Sequence, residues 1–378
     1  MQKLKIGIIF GGPSSEHHIS IRSAISIIQN ISPIKYTIVP IYLDIHSEWY
    51  HINLVKPSYD NSSELVKVIK DSINQIQCFK DKFNKNISHI DYYQLCKLAD
   101  IVFPIIHGKP GENGILQGLF ELLDIPYVGS NVLSSSITMD KDITKIILKD
   151  NGITFVPYIV IKEYEYINQH KKKSFLQLVN NQFILPIFVK PATHGSSIGI
   201  NKIENYNDIE KAIDKAFQYD NKIIVEQGIY AKEIEVSVLE NIDNDGQPIV
   251  SLPGQLIIND KFYNYKSKYF VRNASNLQFP AILNNKLIED IRKKAGKIFT
   301  VLDCSCLARV DFFVEYRSNN IYFNEINTLP GFTEISVYPK LFDLYGIKYN
   351  DLLERLISLS LKKYNNNQSK CLNAMSLL

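Results

Sequence analysis

The chain has 378 residues, 45% hydrophobic and 21% charged, the balance of a folded globular protein, which excludes disorder and collagen-like repetition. Forty-two Lys and Arg against 39 Asp and Glu leave a formal net charge of +3, too small by itself to argue for a nucleic-acid or membrane-surface partner. No run reaches the roughly 18 to 20 apolar residues of a membrane span.

The apolar run Ile6-Gly7-Ile8-Ile9-Phe10 is too short for a signal-peptide core, and five scattered cysteines suit a reducing compartment, so a cytoplasmic protein is expected. At roughly 100 to 200 residues per domain the length suggests two or three domains, and three is the working division.

Residues 3–10 read as a buried strand, Gly11-Gly12-Pro13 as a turn, and residues 14–28 as a helix with Ile21, Ala24, Ile25 and Ile28 on one face. Strands follow at 36–42 and 100–106, the latter ending in the loop 107–114 before a helix at 115–123. This alternation implies a parallel sheet in a first α/β domain, residues 1–129. Within it, residues 47–94 are polar and rich in Asn, Lys and Ser, and read as a peripheral elaboration.

A second unit, 130–227, holds a helix containing Met139-Asp140-Lys141, extended segments at 155–161 and 183–189, the small-residue loop 191–199, a helix at 207–216 and a strand at 222–226. A third, 228–363, has strands at 234–239 and 256–258, a helix at 286–300, and an antiparallel hairpin made by 306–315 and 320–327. Residues 364–378 are polar and expected to fray.

That hairpin carries the strongest chemistry. Period-two geometry puts Arg309 and Asp311 on one face, and Glu325 and Asn327 on one face of the partner strand. Two carboxylates and a carboxamide are hard ligands suited to Mg²⁺ beside nucleotide phosphates. The bland alternative is a charged sheet face with Arg309 paired to Asp311. Against it, Asn327 runs into Thr328-Leu329-Pro330-Gly331-Phe332-Thr333, where a glycine amide can meet an oxyanion.

Lys190 ends an apolar strand just before the loop 192–199, whose amides and hydroxyls can wrap phosphate oxygens. The same loop matches G-x-S-x-G at Gly195–Gly199, the pattern of a serine hydrolase acting through Ser197, but a nucleophile elbow needs a helix directly after the serine, and residues 198–203 read as extended. No P-loop and no G-x-G dinucleotide fingerprint occurs. Glu16 lies in the first turn of a helix, where dipole capping competes with a binding role. His107 and His194 are the histidines in glycine loops at strand ends, and Cys304 with Cys306 lacks partners for a zinc tetrahedron. The strip Tyr263–Tyr269 is too short for a nucleic-acid stacking face.

Together these segments resemble the D-alanine:D-alanine ligases of the ATP-grasp superfamily, in order and spacing, over about residues 4–360. The residues carrying the resemblance are Phe10-Gly11-Gly12 through Ser15-Glu16-His17, His107-Gly108, Gly111-Glu112, Met139-Asp140-Lys141, Lys190-Pro191, Gly195-Ser196-Ser197, Tyr265–Tyr269, Arg309-Val310-Asp311 and Asn324–Thr333. Asn113, His18 and Asn264 depart from the pattern, and none is a metal or phosphate ligand.

The resemblance implies a three-domain ATP-grasp enzyme that clasps ATP between two sheets. Lys141 and Lys190 would meet the phosphates beside Ser197 of the loop, Glu226, Gln227, Gly228 and Ile229 would border the adenine, and Glu233 would bind the ribose. Asp311, Glu325 and Asn327 would hold two Mg²⁺ ions, with Mn²⁺ as a substitute. Glu16 would recognise the ammonium of the first D-alanine, supported by Ser196 and Tyr269, with His107 in the substrate site. Lys268 would serve the transferred phosphate and Ser336 the second carboxylate, while Arg309 and the Gly331 amide would stabilise the oxyanion. A homodimer making D-alanyl-D-alanine for peptidoglycan is implied, with D-alanine:D-lactate ligation as the rival within the superfamily, which Tyr269 argues against. Serine hydrolysis and nucleotide binding without turnover are the rivals outside it.

Overall fold

The computed structural model describes residues 3–54, 62–78, 86–242, 246–258 and 275–375. Its strands form three sheets. The first has the order β4-β3-β2-β1-β5, built from β1 (Leu4–Gly11), β2 (Tyr36–Leu43), β3 (Trp49–Ile52), β4 (Ile87–Ile90) and β5 (Ile101–Pro104). As expected from the alternation, β1 runs parallel to β2 and β5. The strand β1 is apolar on both faces because both are covered. Ile6, Ile8 and Phe10 pack with Ala24, Ile27 and Ile28 of the helix His17–Asn30, while Ile9 packs with Leu116 and Phe120 of the helix Ile115–Leu122.

The segment 47–94 is less peripheral than its polar composition suggests. Its strands β3 and β4 extend the sheet in antiparallel fashion beyond β2, with β4 at the edge, and its helix Ser62–Cys78 buries Ile69, Ile73 and Ile76, at helical spacing, in the same core as Ile6.

The expected helix through Met139-Asp140-Lys141 is two helices, Val132–Met139 and Lys141–Asp150. Asp140 is extended between them, and its carboxylate accepts from the amides of Asp142 and Ile143, so it caps the second helix and fixes Lys141 as its first residue.

A second sheet has the order β6-β9-β7-β8, with β6 (Tyr158–Lys162), β7 (Ile187–Pro191), β8 (Asn201–Ile203) and β9 (Lys222–Gln227), all antiparallel to their neighbours. The apolar run 183–189 is divided: Phe183 caps the helix Gln169–Gln182 and the strand starts at Ile187.

The third sheet has the order β13-β12-β10-β14-β15, with β11 paired to β10. Its members are β10 (Ala231–Leu239), β11 (Ile249–Val250), β12 (Gly254–Ile258), β13 (Ser275–Gln278), β14 (Leu307–Glu315) and β15 (Ile321–Asn327). The helix Asn285–Val301 sets Leu287, Ile291, Ala295 and Ile298 against Val236, Val238, Val310 and Phe312. That burial turns Arg309 and Asp311, one residue out of phase, onto the opposite face.

The tail does not fray at 364. The helix Tyr349–Met375 runs through it, because Tyr364 and Gln368, one turn apart, both reach Asp124, the tyrosine hydroxyl donating to its carbonyl at 3.0 Å. Upstream, Leu352, Leu353 and Leu356 of this helix close the core beside β1. Among the described residues no helix is long and apolar enough to cross a membrane.

Candidate active site

In the hairpin of β14 and β15 Arg309 lies opposite Asn327 and Asp311 opposite Glu325, so the two expected strand faces coincide, with a bulge directly after Asp311. Arg309 donates from Nε and Nη2 to the two oxygens of Asp311 at 2.8 and 2.6 Å, the very pairing of the bland alternative. The surroundings, however, hold far more negative charge than that pair needs. Glu235 of β10 stands opposite Asp311 in register and 3.4 Å from Arg309 Nε, and its buried Oε2 accepts no hydrogen bond.

Burial pushes the Asp311 carboxyl up to about 7, with Glu235 and Glu325 adding to the rise and Arg309 opposing it. Burial and the neighbouring Glu16 push Glu112 up to about 8, although it accepts from the Gly108 amide at 2.6 Å. Among the described residues no three His, Cys, Asp or Glu side chains converge closely enough to hold a metal by themselves. Two carboxylates and the Asn327 carboxamide, completed by phosphate oxygens, are nevertheless a fitting donor set for a hard divalent cation, since the one guanidinium of Arg309 faces three carboxylates, Asp311, Glu235 and Glu325.

The second sheet, with Lys190, and the helix Lys141–Asp150, with Lys141 and Lys145, bring lysines towards this hairpin. Lys190, at the end of β7, lies 2.6 Å from Glu226 Oε2, and Lys145 holds the other oxygen of the same carboxylate. Burial alone would raise Glu226, but the two ammonium groups hold it down at about 2. Lys141 donates to the His194 carbonyl at 2.7 Å and faces Glu325 at 3.4 Å, so it bridges the loop 192–199 and the hairpin.

Gln227 turns its side chain back, donating to the carbonyls of Ile184 and Gly228 at 2.8 Å, which leaves the segment 227–229 to present backbone. Gly228 is required here, since a Cβ would stand 2.5 Å from the Pro186 carbonyl oxygen. Ile229 follows it, and Glu233 lies on β10 two residues before Glu235.

The loop 192–199 is anchored by Asp220, which accepts from the Thr193 amide and hydroxyl at 2.8 and 2.7 Å. Burial would raise Asp220, but the neighbouring His194 and the hydrogen bonds from Thr193 hold it well below the usual carboxylate range. Ser196 and Ser197 both have positive φ, 52° and 58°. The Ser196 hydroxyl donates to Glu16, which joins the loop to the start of the helix His17–Asn30. The next regular element after Ser197 is the strand β8, not a helix, so the hydrolase geometry is missing.

At the far side, Ser336 accepts from the Thr333 amide at 2.9 Å and lies so close to Gly331 that a Cβ there would be 2.8 Å from its hydroxyl. The next amide, Phe332, donates to Ser23 at 3.2 Å, and Ser23 meets His107 Nε2 at 3.3 Å. His107 is thereby tied to the glycine loop. Lys268 and Tyr269 lie outside the described residues.

Sequence reasoning missed Glu235, Lys145 and Asp220. For Glu235 a signal existed, because it shares a strand face with Glu233.

Two antiparallel sheets, with Lys190 on one and the carboxylates of Asp311 and Glu325 on the other, joined by the Lys141–Glu325 contact and followed by the glycine-containing loop 328–333, define an ATP-grasp ligase. The model for the "D-ala D-ala ligase N-terminus" matches residues 5–130 and that for the "D-ala D-ala ligase C-terminus" matches residues 147–358. A D-alanine–D-alanine ligase of Caldicellulosiruptor bescii is 42% identical over 98% of both chains. The VanG D-Ala:D-Ser ligase of Enterococcus faecalis superposes with a TM-score of 0.79 at 32% identity, covering 95% of this chain and all of that one. A D-alanine–D-alanine ligase of Bacillus anthracis, solved complexed with ATP, gives 0.69 at 27% identity, covering 96% of this chain and 99% of its own. The chain belongs to the D-alanine–D-alanine ligase family.

Proposed function

We infer that this enzyme joins two D-alanine molecules to D-alanyl-D-alanine with cleavage of ATP, giving ADP and phosphate, for peptidoglycan precursor synthesis. The observation that supports it most is the chain of contacts that links the Glu16 and Ser196 pair, through Glu112, to the Arg309, Asp311, Glu325 and Asn327 hairpin, with Lys141 facing Glu325 and Lys190 on Glu226 beside it.

In the proposed mechanism Glu16, held by Ser196, receives the ammonium of the first D-alanine and so aims its carboxylate at the γ-phosphorus. A carboxylate oxygen attacks, the bond to ADP breaks, and an acyl phosphate forms while Lys141 and Lys190 neutralise charge on the phosphate oxygens. Glu226–Ile229 border the adenine and Glu233 the ribose. Asp311, Glu325 and Asn327 would hold two Mg²⁺, which would supply further neutralisation of the phosphates.

The amine of the second D-alanine, its carboxylate placed by Ser336, then attacks the acyl carbon. Arg309 and the Gly331 amide donate to the oxygen that becomes negative, at about 3 to 4 kcal/mol per donor. Phosphate leaves and the nitrogen loses a proton. No protein nucleophile is needed.

Incubation with ATP, Mg²⁺ and D-alanine, with identification of products, tests this reading. D-alanyl-D-alanine in equal amount to ADP is expected, and ester hydrolysis dependent on Ser197 without D-alanine-stimulated ATP cleavage would overturn it. Competing D-lactate and D-serine against D-alanine at pH 7 separates the dipeptide from its rivals, with D-alanyl-D-alanine predominating.

A further inference from the structure

Lys145 has no place in the proposed mechanism, yet it is only 1% exposed, and burying an ammonium group is costly unless an opposite charge and hydrogen bonds compensate it. It sits one helical turn after Lys141, bonds Glu226 Oε1 and lies 4.7 Å from the centroid of the Tyr158 ring and 5.8 Å from that of Phe155. Burial pushes its ammonium down to about 8, with Glu226 opposing the fall. Lys190 holds the other Glu226 oxygen at 2.6 Å. One buried carboxylate therefore carries two ammonium groups, one on each oxygen, where a single one would neutralise it.

The surplus has a use once ATP binds. If the Lys190 charge is committed to the triphosphate, Glu226 without Lys145 would face its own strand neighbours and the nucleotide with no counter-charge of its own. An ionised, buried and unpaired carboxylate would then either hold Lys190 back or repel the phosphates. We propose that Lys145 is a positioning residue, the permanent counter-ion of Glu226, which releases the charge of Lys190 to the nucleotide phosphates. The inference rests on the reading of Lys190 as a phosphate ligand. The aromatic walls of Tyr158 and Phe155 suit this duty, because they stabilise the Lys145 charge while offering it no alternative carboxylate.

The test compares dissociation constants of ATP and of adenosine by calorimetry, since only ATP reads the phosphate subsite. Lys145→Met should weaken ATP relative to adenosine by at least about tenfold, and Lys145→Arg should keep the parent ratio. Adding Glu226→Gln to Lys145→Met should restore the ratio, because no carboxylate remains to retain Lys190, even if both ligands bind more weakly. A purely structural role would lower both affinities together and would not be rescued, and either result overturns the proposal. Should Lys145→Met not fold, Glu226→Gln and Lys145→Met/Glu226→Gln are compared. Equal ratios support the proposal, and a lower ratio in the double variant overturns it. Lys190→Met separates the two readings: an unchanged ratio there removes the phosphate role of Lys190 itself, whereas a fall there without one in Lys145→Met removes only the role of Lys145.

Discussion

The Ser196 hydroxyl donates to the Glu16 carboxylate across 180 residues of sequence, from the loop of the second sheet to the first helix. Both residues belong to segments that contribute nothing to each other's core, so the bond is an assembly of the site and not a by-product of packing. Ser196→Ala should cost about 1.5 to 3 kcal/mol of transition-state stabilisation, roughly 10- to 100-fold in kcat/KM for the first D-alanine. Steady-state kinetics at saturating ATP checks this, and an unchanged value contradicts it. The melting temperature should hardly move.

Arg309 answers to two acidic neighbours and a developing oxyanion. Arg309→Lys keeps the charge but loses the fork that binds both Asp311 oxygens, and should lower kcat by about 100-fold. Arg309→Met leaves Asp311 and Glu235 buried without their cation and should cost about 3 to 5 kcal/mol in denaturant unfolding. Near-normal turnover of the lysine variant would reject the oxyanion role.

Glu112 predicts a pH dependence of stability. Its carboxyl titrates at 4.5 in an ordinary setting and at about 8 in the folded protein, where burial and Glu16 disfavour its charge. Between those values the folded state binds more protons than the unfolded one, so this group's contribution is full at low pH and is lost as pH rises through the window. Glu112→Gln keeps an acceptor for the Gly108 amide and removes the titration. Melting temperatures of the ligand-free protein from about pH 5 to pH 8 should therefore fall less steeply in the variant. Equal slopes would contradict the assignment.

The parts of the site legible in the sequence are those whose geometry is local. Period-two alternation puts Arg309 with Asp311 on one face of its strand and Glu325 with Asn327 on one face of the partner with no knowledge of the rest of the fold, whereas the register that sets Arg309 against Asn327 depends on the bulge after Asp311. Glu235 joins them only through the pairing of β10 with β14, which no local pattern announces. Lys145 reads from sequence as one more polar residue on an amphipathic helix, because its carboxylate partner is 81 residues away. Composition misled twice. The polar segment 47–94 hid the helical stripe Ile69, Ile73 and Ile76, and the asparagine-rich stretch after Lys363 hid a helix held by Tyr364 and Gln368 against Asp124. The break at Asp140 was open to reading, since an aspartate just ahead of a new helical stripe is an N-cap signal.

The central claim is that the carboxylate of one D-alanine attacks ATP directly and that the amine of another displaces the phosphate. D-alanine labelled with ¹⁸O in its carboxyl group tests it most directly, through mass analysis of the inorganic phosphate released during dipeptide synthesis. One labelled oxygen should pass into phosphate for each D-alanyl-D-alanine formed. Unlabelled phosphate, or release of AMP and pyrophosphate in place of ADP, would contradict the account.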